Sequence, residues 1–430
     1  MREPISKFEH EFLAVEENGF TETHFQLLAK FLEKQKKSYL FETSYRQGKK
    51  GIKFCQYVGV ITVKDLTIYV LPKADKEAKE GVDDKKLWQD RLTFMLSQVY
   101  KLNVQTTAPA HLQWRPNVLL NIFLKKFLDE VAVLLNRGLI KTYRKTDGNR
   151  AALKGKLLFN KQIAYNCVHQ ERFYVRYTTY DYNHVLNRII RQALLAILNI
   201  TNSSDIKGRA TSTLFNFPEL DEIAVSPELF SRLIFDRKSE DYRTVIKLAE
   251  MILLNYSPDL HHGSNHVWTL MFDMNKLWEE FVYVTLKRKL MDCTVRPQKQ
   301  MTLWESDSNR KTVRADIVVE KNTDNGTETF VLDTKWKMPR YDGKIVPSDA
   351  DLHQMYVYLD VYGKAKKVAL LYPGERLSDV KGFFINKPNN SNAQCDMLFL
   401  PGDRYKTSNN SKTEFQAWQE AIVKHIKEWM

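Results

Sequence analysis

Between Val313 and Lys337 the chain makes two β-branched, apolar runs on either side of Asn325-Gly326, and each run has an acid set into it. Asn-Gly between such runs predicts a two-stranded hairpin. Side chains alternate along a strand, so Val331, Asp333, Lys335 and Lys337 share one side while Phe330, Leu332 and Trp336 share the other. On the partner strand Asp316 falls with Arg314 and Val318, opposite Val313, Ala315, Ile317 and Val319. The hairpin therefore brings Asp316 and Asp333 close enough to share one ion, with Lys335 pointing the same way as Asp333. A charge in an apolar strand is costly unless it has a partner or a chemical role.

Two carboxylates and a lysine across a hairpin suit phosphodiester hydrolysis. Carboxylate oxygens hold Mg²⁺, which polarises a phosphoryl oxygen and lowers the pKa of an attacking water, and an adjacent ammonium can orient that water or neutralise charge developing on phosphate. The tripeptide alone is weak, because an acid two residues before a lysine also occurs at Glu77-Ala78-Lys79 and Asp84-Lys85-Lys86 in a charged surface segment. What sets Asp333-Thr334-Lys335 apart is its apolar strand and the second acid opposite.

The flanking sequence predicts an α/β sheet with this acidic cluster on one face. A helix starts near Asp273, with Met274, Leu277, Trp278, Phe281, Val284, Thr285 and Leu286 on a helical period and Glu279 and Glu280 along it. A strand candidate covers 294–301. After the hairpin, Ser348 and Asp351 form a capping pair, Leu352, Met355, Tyr356 and Leu359 an apolar stripe, and Gly363 a stop. Gln354 and Tyr358 lie one turn apart on another face of that helix, where they either reach phosphate or a catalytic group, or Tyr358 is a core aromatic. A strand from Lys367 to Tyr372 follows.

At 430 residues the chain is long enough for two or three domains. Residues 54–71 read as two strands around Lys64-Asp65, and residues 21–37, 87–102, 116–136, 182–200 and 240–256 as helices. The stretch from Ser257-Pro258 to Asn265 marks a boundary. No run reaches the roughly 20 apolar residues of a membrane span, and no apolar leader opens the sequence. The four cysteines are far apart, without metal-site or redox spacing, and read as packing thiols of a reducing cytoplasm. Lys and Arg exceed Asp and Glu by 65 − 52 = 13, which favours polyanionic partners. Each Gly-Lys pair lacks the rest of a phosphate-binding loop, so the chain is not expected to hydrolyse nucleotides.

Leu277-Trp278-Glu279, Arg314-Ala315-Asp316-Ile317-Val318, Val331-Leu332-Asp333-Thr334-Lys335 and Gln354-Met355-Tyr356-Val357-Tyr358, in that order, resemble the PD-(D/E)xK nuclease core with the glutamine-tyrosine motif of RecB-like members. Together with Tyr57-Val58-Gly59-Val60-Ile61, Leu71-Pro72-Lys73 and Leu153-Lys154-Gly155-Lys156-Leu157, they resemble the McrC family, the nuclease subunits of McrBC-type restriction systems. The resemblance implies an α/β chain in three parts: an N-terminal α+β region (1–137) that binds the partner, a mostly helical middle region (138–260), and a C-terminal restriction-endonuclease-like domain (261–430) with a mixed central sheet flanked by helices. It implies Asp316 and Asp333 as Mg²⁺ ligands, Glu279 as a supporting acid and ligand, Lys335 as the catalytic lysine, and Gln354 and Tyr358 completing the site. Ala315 stands where the family motif has proline. DNA is the implied substrate, with Lys337, Arg340, Lys344, Lys364, Lys366 and Lys367 available for phosphates. The implied partner is a hexameric McrB-type AAA+ GTPase whose GTP hydrolysis the N-terminal part stimulates; the chain itself would be cytoplasmic, monomeric alone and paired through the motor.

Overall fold

The computed structural model describes residues 4–35, 40–73, 82–101, 118–201, 203–257, 267–324, 326–341, 343–362, 365–374, 377–385, 393–400 and 411–430. Pro116, the boundary residues 258–265, Asn325, Gly363 and Lys364, all singled out above, lie outside them. The chain falls into two compact units, residues 1–118 with 271–430, and residues 119–270. The first and last thirds of the sequence, expected as separate regions, thus pack in one unit.

The first unit opens with β1 (Ile5–Phe8), β2 (Phe12–Ala14), α1 (Glu22–Gln35), β3 (Phe41–Arg46), β4 (Lys49–Phe54), β5 (Tyr57–Val63), β6 (Leu66–Leu71) and α2 (Val82–Tyr100). The expected strands β5 and β6 pair antiparallel around Lys64, which takes the turn's left-handed backbone at φ 53°. β1 runs parallel to β6, and β2-β4-β3 forms a small antiparallel sheet. The β3–β4 hairpin was not anticipated, although Gln47-Gly48, at φ 47° and 75°, is its turn signal.

The second unit holds most of α3 (Val118–Arg137), then β7 (Thr142–Arg150), β8 (Lys156–Leu157), α4 (Phe159–Asn166), β9 (Phe173–Asp181), α5 (Val185–Ile200), α6 (Ser204–Phe215), α7 (Pro227–Ser231), α8 (Tyr242–Leu254) and the short β10 (Tyr256–Ser257). Its helical part is as expected: α5 buries Leu186, Ile189, Ile190, Ala193, Leu194 and Ile197 against α6 and α8. Buried Asn187 is fully engaged, donating to the Ile140 and Tyr182 carbonyls and accepting from Tyr242. The three-stranded sheet β7-β9-β8 is an addition to the helical reading. Gly155, in the Leu-Lys-Gly-Lys-Leu stretch, sits at φ 84° with its α-carbon so near β9 that a Cβ would lie 2.3 Å from the Arg176 carbonyl oxygen.

β11 (Val267–Asp273) leads back to the first unit, followed by α9 (Met274–Lys289), β12 (Cys293–Glu305), β13 (Arg310–Thr323), β14 (Gly326–Thr334), the two-residue strands β15 (Arg340–Tyr341) and β16 (Lys344–Ile345), α10 (Asp349–Val361), β17 (Lys367–Pro373), β18 (Cys395–Leu400) and α11 (Ser411–Trp429). The sheet order is β12-β13-β14-β17-β18, antiparallel across its first three strands and parallel across its last three, the mixed sheet expected. β18 and α11 extend the fold beyond the sequence reading. Helix α2 from the N-terminal part packs on α9 and α11: Phe94 meets Phe281 edge-on at 6.0 Å and stacks on Phe415 at 4.6 Å.

Two expectations for the hairpin need correction. The third strand ends at Thr334 rather than Lys337, although Lys335 N still donates to Leu371 O. The strict alternation also fails on β13, since Ala315 and Val318 both join the core beneath α10. Pro297 pairs with Ile317 and Lys299 with Ala315, but Gln298, at φ 43°, drops out of the ladder opposite Asp316. The Tyr362 hydroxyl enters this break, accepting from Ala315 N at 2.8 Å and donating to the Lys299 carbonyl. Among the described residues, all four cysteines are unpaired; Cys395 is buried as expected of a packing thiol, whereas Cys167 is exposed.

Candidate active site

Register sets the carboxylates. Ile317 pairs with Leu332, and one step further along the same antiparallel register stands Asp316 opposite Asp333. Asp316 Oδ2 accepts from both the backbone N and the hydroxyl of Thr334, each at 2.8 Å, which ties the β13 acid to the end of β14. Asp333 is 1% exposed; Oδ1 has no hydrogen-bond partner, and Oδ2 meets only the Lys335 ammonium, as an ion pair at 2.6 Å. Burial, then the Asp316 charge, push the Asp333 carboxyl up to about 7 against the opposing pull of Lys335. A buried acid so poorly satisfied costs several kcal/mol in folding terms, roughly, and is the kind of group a cation would relieve.

Lys335 is held from several sides. Burial pulls its pKa down, but Asp333, Asp351 and Asp316 together raise it, so the ammonium stays charged. Its Nζ donates to Gln354 Oε1 at 3.1 Å; Gln354 donates to the Tyr358 oxygen at 2.7 Å, and Tyr358 donates to the Arg314 carbonyl at 2.6 Å. Burial, then the charges of Asp333 and Asp316, raise the Tyr358 phenol, which therefore acts as a neutral hydroxyl. Of the two readings open for Tyr358, both hold: the ring is core, and its hydroxyl anchors the chain of hydrogen bonds that fixes the lysine.

Asp351 is the residue that sequence reasoning missed. It was read as half of a cap, and it is one, since its N donates to Ser348 Oγ at 3.3 Å. Its buried carboxylate also takes Lys337 at 2.6 Å and faces Lys335 at 3.4 Å. Burial works against its charge, but the hydrogen bonds from Lys337 and Ser348 outweigh that and hold its pKa low. The available signal was Asp351 three residues before Gln354, one turn along the same helix.

The remaining candidates are spread out. Glu279 on α9 accepts from Gln298 at 2.8 Å, and burial followed by the Asp316 charge raises its pKa, so it stands within electrostatic range of the pair. Among the described residues, no three His, Cys, Asp or Glu side chains converge into a ready-made metal cage. Lys337 is engaged by Asp351, and Lys344 is exposed on β16. Lys366 pairs with Glu328 at 2.5 Å and Lys367 donates to the Trp429 carbonyl, both at the start of β17, whereas Asp333 lies level with Leu370 further along it. The structure does not bring these two lysines to the carboxylates. The proline of the family motif would have no N–H here, where Ala315 donates to Tyr362.

The donor set consists of hard carboxylate oxygens, one pair of them buried and unsatisfied, and it fits a hard divalent cation. Among the described residues no helix is long and apolar enough to cross a membrane.

Residues 52–373 match the family model described as McrBC 5-methylcytosine restriction system component. A chain of the refined half-complex from the tetradecameric assembly of Thermococcus gammatolerans McrB AAA+ hexamers with bound McrC is 22% identical, with TM-score 0.60 and 100% of both chains covered. That likeness carries the fold. A chain of the Thermococcus gammatolerans McrBC complex is 24% identical over 67% of this chain and 88% of that one, with TM-score 0.44. No curated protein matches the chain.

Proposed function

The chain belongs to the McrBC 5-methylcytosine restriction system component family, and from that premise we propose that it is the system's Mg²⁺-dependent DNA endonuclease subunit, built on a PD-(D/E)xK core. The observation that carries the reading is Asp333: a buried, unsatisfied carboxylate beside Asp316 and 2.6 Å from Lys335. Asp316 and Asp333 would hold the ion, with Glu279 as the supporting acid. Bound there, Mg²⁺ would supply Lewis-acid polarisation of the scissile phosphate and a more acidic water.

The chain's own residues do the positioning. Lys335 presents a charged ammonium beside Asp333, where it orients the attacking water or offsets charge on the phosphate oxygens. Gln354 fixes that ammonium, Tyr358 fixes Gln354, and the Arg314 carbonyl fixes Tyr358. Each link restricts the lysine's freedom, which is the entropic part of catalysis.

The structural relative is named in assembly with McrB AAA+ hexamers. We accordingly place this chain in the cytoplasm with an AAA+ GTPase partner, whose GTP hydrolysis it stimulates through surfaces of its N-terminal region while the β12–β18 sheet cuts. Selection of the target DNA then belongs to the partner. Incubating long plasmid DNA with the full chain and Mg²⁺, with and without the GTPase and GTP, tests this. Cutting is expected only with all components. Site-specific cutting by the chain alone would favour a stand-alone repair nuclease, and DNA binding without cutting under every condition a non-catalytic adaptor.

A further inference from the structure

The β12–β13 hairpin outgrows its sheet. β14 flanks β13 only from Ile317 onward, so the pairs from Lys299↔Ala315 to Glu305↔Arg310 belong to a free-standing two-stranded ribbon, about 20 Å long at ~3.3 Å per residue. Its base is pinned to α10 by Tyr362, and Met301 and Val313 on one face pack against the core there. The other face carries Gln300, Arg310, Thr312 and Arg314: Gln300 donates to Thr312 at 2.6 Å and Arg310 donates to Thr302. Near the tip, Leu303 and Trp304 are 48% and 54% exposed.

Beyond Lys299 the ribbon carries three cations, Arg310, Lys311 and Arg314, against two acids at its tip, Glu305 and Asp307. Arg296 and Lys299, near the base, are both neutralised by Glu320. Arg310, Lys311 and Arg314 are exposed and, among the described residues, take part in no ion pair. The strip begins beside the carboxylates, since Arg314 is two residues from Asp316 on β13 and its carbonyl takes the Tyr358 hydroxyl.

We propose that this ribbon is the arm that binds the substrate duplex, its exposed cations lying on phosphates to one side of the scissile bond. The inference rests on the nuclease reading and deepens it. Arg310 and Arg314 share a face four residues apart, about 13 Å along the strand or about four base-pair rises of one DNA strand, while Lys311 projects from the opposite face. A two-stranded ribbon also has the dimensions of a major-groove element. A protein partner with an acidic surface would use the charge but would gain nothing from its continuity with the carboxylates.

The test measures binding of a short fluorescent duplex to the full chain without Mg²⁺, by anisotropy across a salt series. The triple variant Arg310→Ala, Lys311→Ala, Arg314→Ala should bind roughly 10- to 100-fold more weakly at low salt, and the slope of log K against log salt should fall by about 2 to 3. Trp304→Ala should weaken binding without changing the slope. A control triple in the other unit, Arg232→Ala, Arg237→Ala, Lys238→Ala, removes the same charge and should leave the slope unchanged. All these side chains lie at the surface, and a thermal melt verifies each fold. Equal losses in both triples, or none in the ribbon triple, overturn the proposal, as does loss of assembly with the GTPase while DNA binding is intact. Asp333→Asn separates the two readings, because failure of the nuclease site shows in cleavage and failure of the ribbon shows in binding.

Discussion

Asp147 on β7 and Asp333 on β14 are both strand aspartates with a cation beside them, and the two units use them in opposite ways. Asp147 takes Arg176 through two hydrogen bonds at 2.7 and 2.9 Å, with Lys161 nearby, and these partners, Arg176 first, hold its carboxyl down at about 2. Asp333 has a lysine at 2.6 Å from Oδ2 but nothing on Oδ1, and burial drives it up to about 7. The cation is common to both, so it does not decide the outcome; desolvation and a second acid do. A solvated strand carboxylate with its bonds made keeps its charge at little cost, whereas one buried beside a second acid holds its proton more tightly.

The contrast breaks most readily at the acids themselves. Asp316→Ala or Asp333→Ala should abolish DNA cleavage, by about 10³-fold or more, because each removes half of the paired ligand charge. Asp147→Asn should cut at the normal rate in the same assay with the GTPase, GTP and Mg²⁺; a comparable loss there would dissolve the distinction. Next in size, Lys335→Ala should lower the rate by about 10²-fold, since an ammonium acts on the water or the phosphate. Metal titration checks it: restoration by excess Mg²⁺ would mean that the lysine served only to place the ligands.

The same two acids should give opposite pH dependences of stability. Asp333 is raised in the folded chain from an ordinary 3.8 to about 7, so the folded state binds the extra proton between those values. Its contribution is most favourable below the unfolded pKa and declines as pH rises toward the folded one, levelling above it. Asp333→Asn should remove that decline and stabilise the metal-free protein near neutral pH by on the order of 1–4 kcal/mol. Asp147 is depressed, so its contribution is present above 3.8 and is lost as pH falls through about 2. Denaturant titrations of both Asn variants across pH check the signs; an unchanged or lower stability for Asp333→Asn at neutral pH would show that its charge is already compensated.

The paired acids were legible because a charge inside an apolar strand stands out and a hairpin's register is arithmetic: Asp316 and Asp333 lie one step beyond a paired position. The break in alternation at Ala315 was not legible, since it goes with a tyrosine hydroxyl from the end of α10 entering the ladder. Nor were β7 and β9, whose exposed, charged faces leave only Val175 and Tyr177 buried, too few for a period-two pattern. β18 is all buried, yet a short apolar run without alternation does not declare itself a strand. The packing of the N-terminal helix α2 onto α9 and α11 is a tertiary fact with no local signature.

Asp351 tests whether satisfaction, rather than mere presence of charge, governs this site. It resembles Asp147 in being well bonded and depressed, but it lies against Lys335 and Lys337 beside the paired acids. Asp351→Asn keeps the shape and the cap while removing the charge that draws Lys335 away from Asp333 on one side and fixes Lys337 on the other. The lysine would then be held by Asp333 and Gln354 only, and the rate should fall by about tenfold, about 1.4 kcal/mol of transition-state stabilisation. Asp351→Glu should recover part of the loss, because the charge returns with an imperfect reach. A purely structural role in the capping box predicts a different pattern, in which any loss of rate is matched by a loss of thermal stability in the same variant. Measuring rate and melting temperature on the same preparations separates the two, and a full rate in Asp351→Asn would leave Gln354 as the residue that sets the lysine.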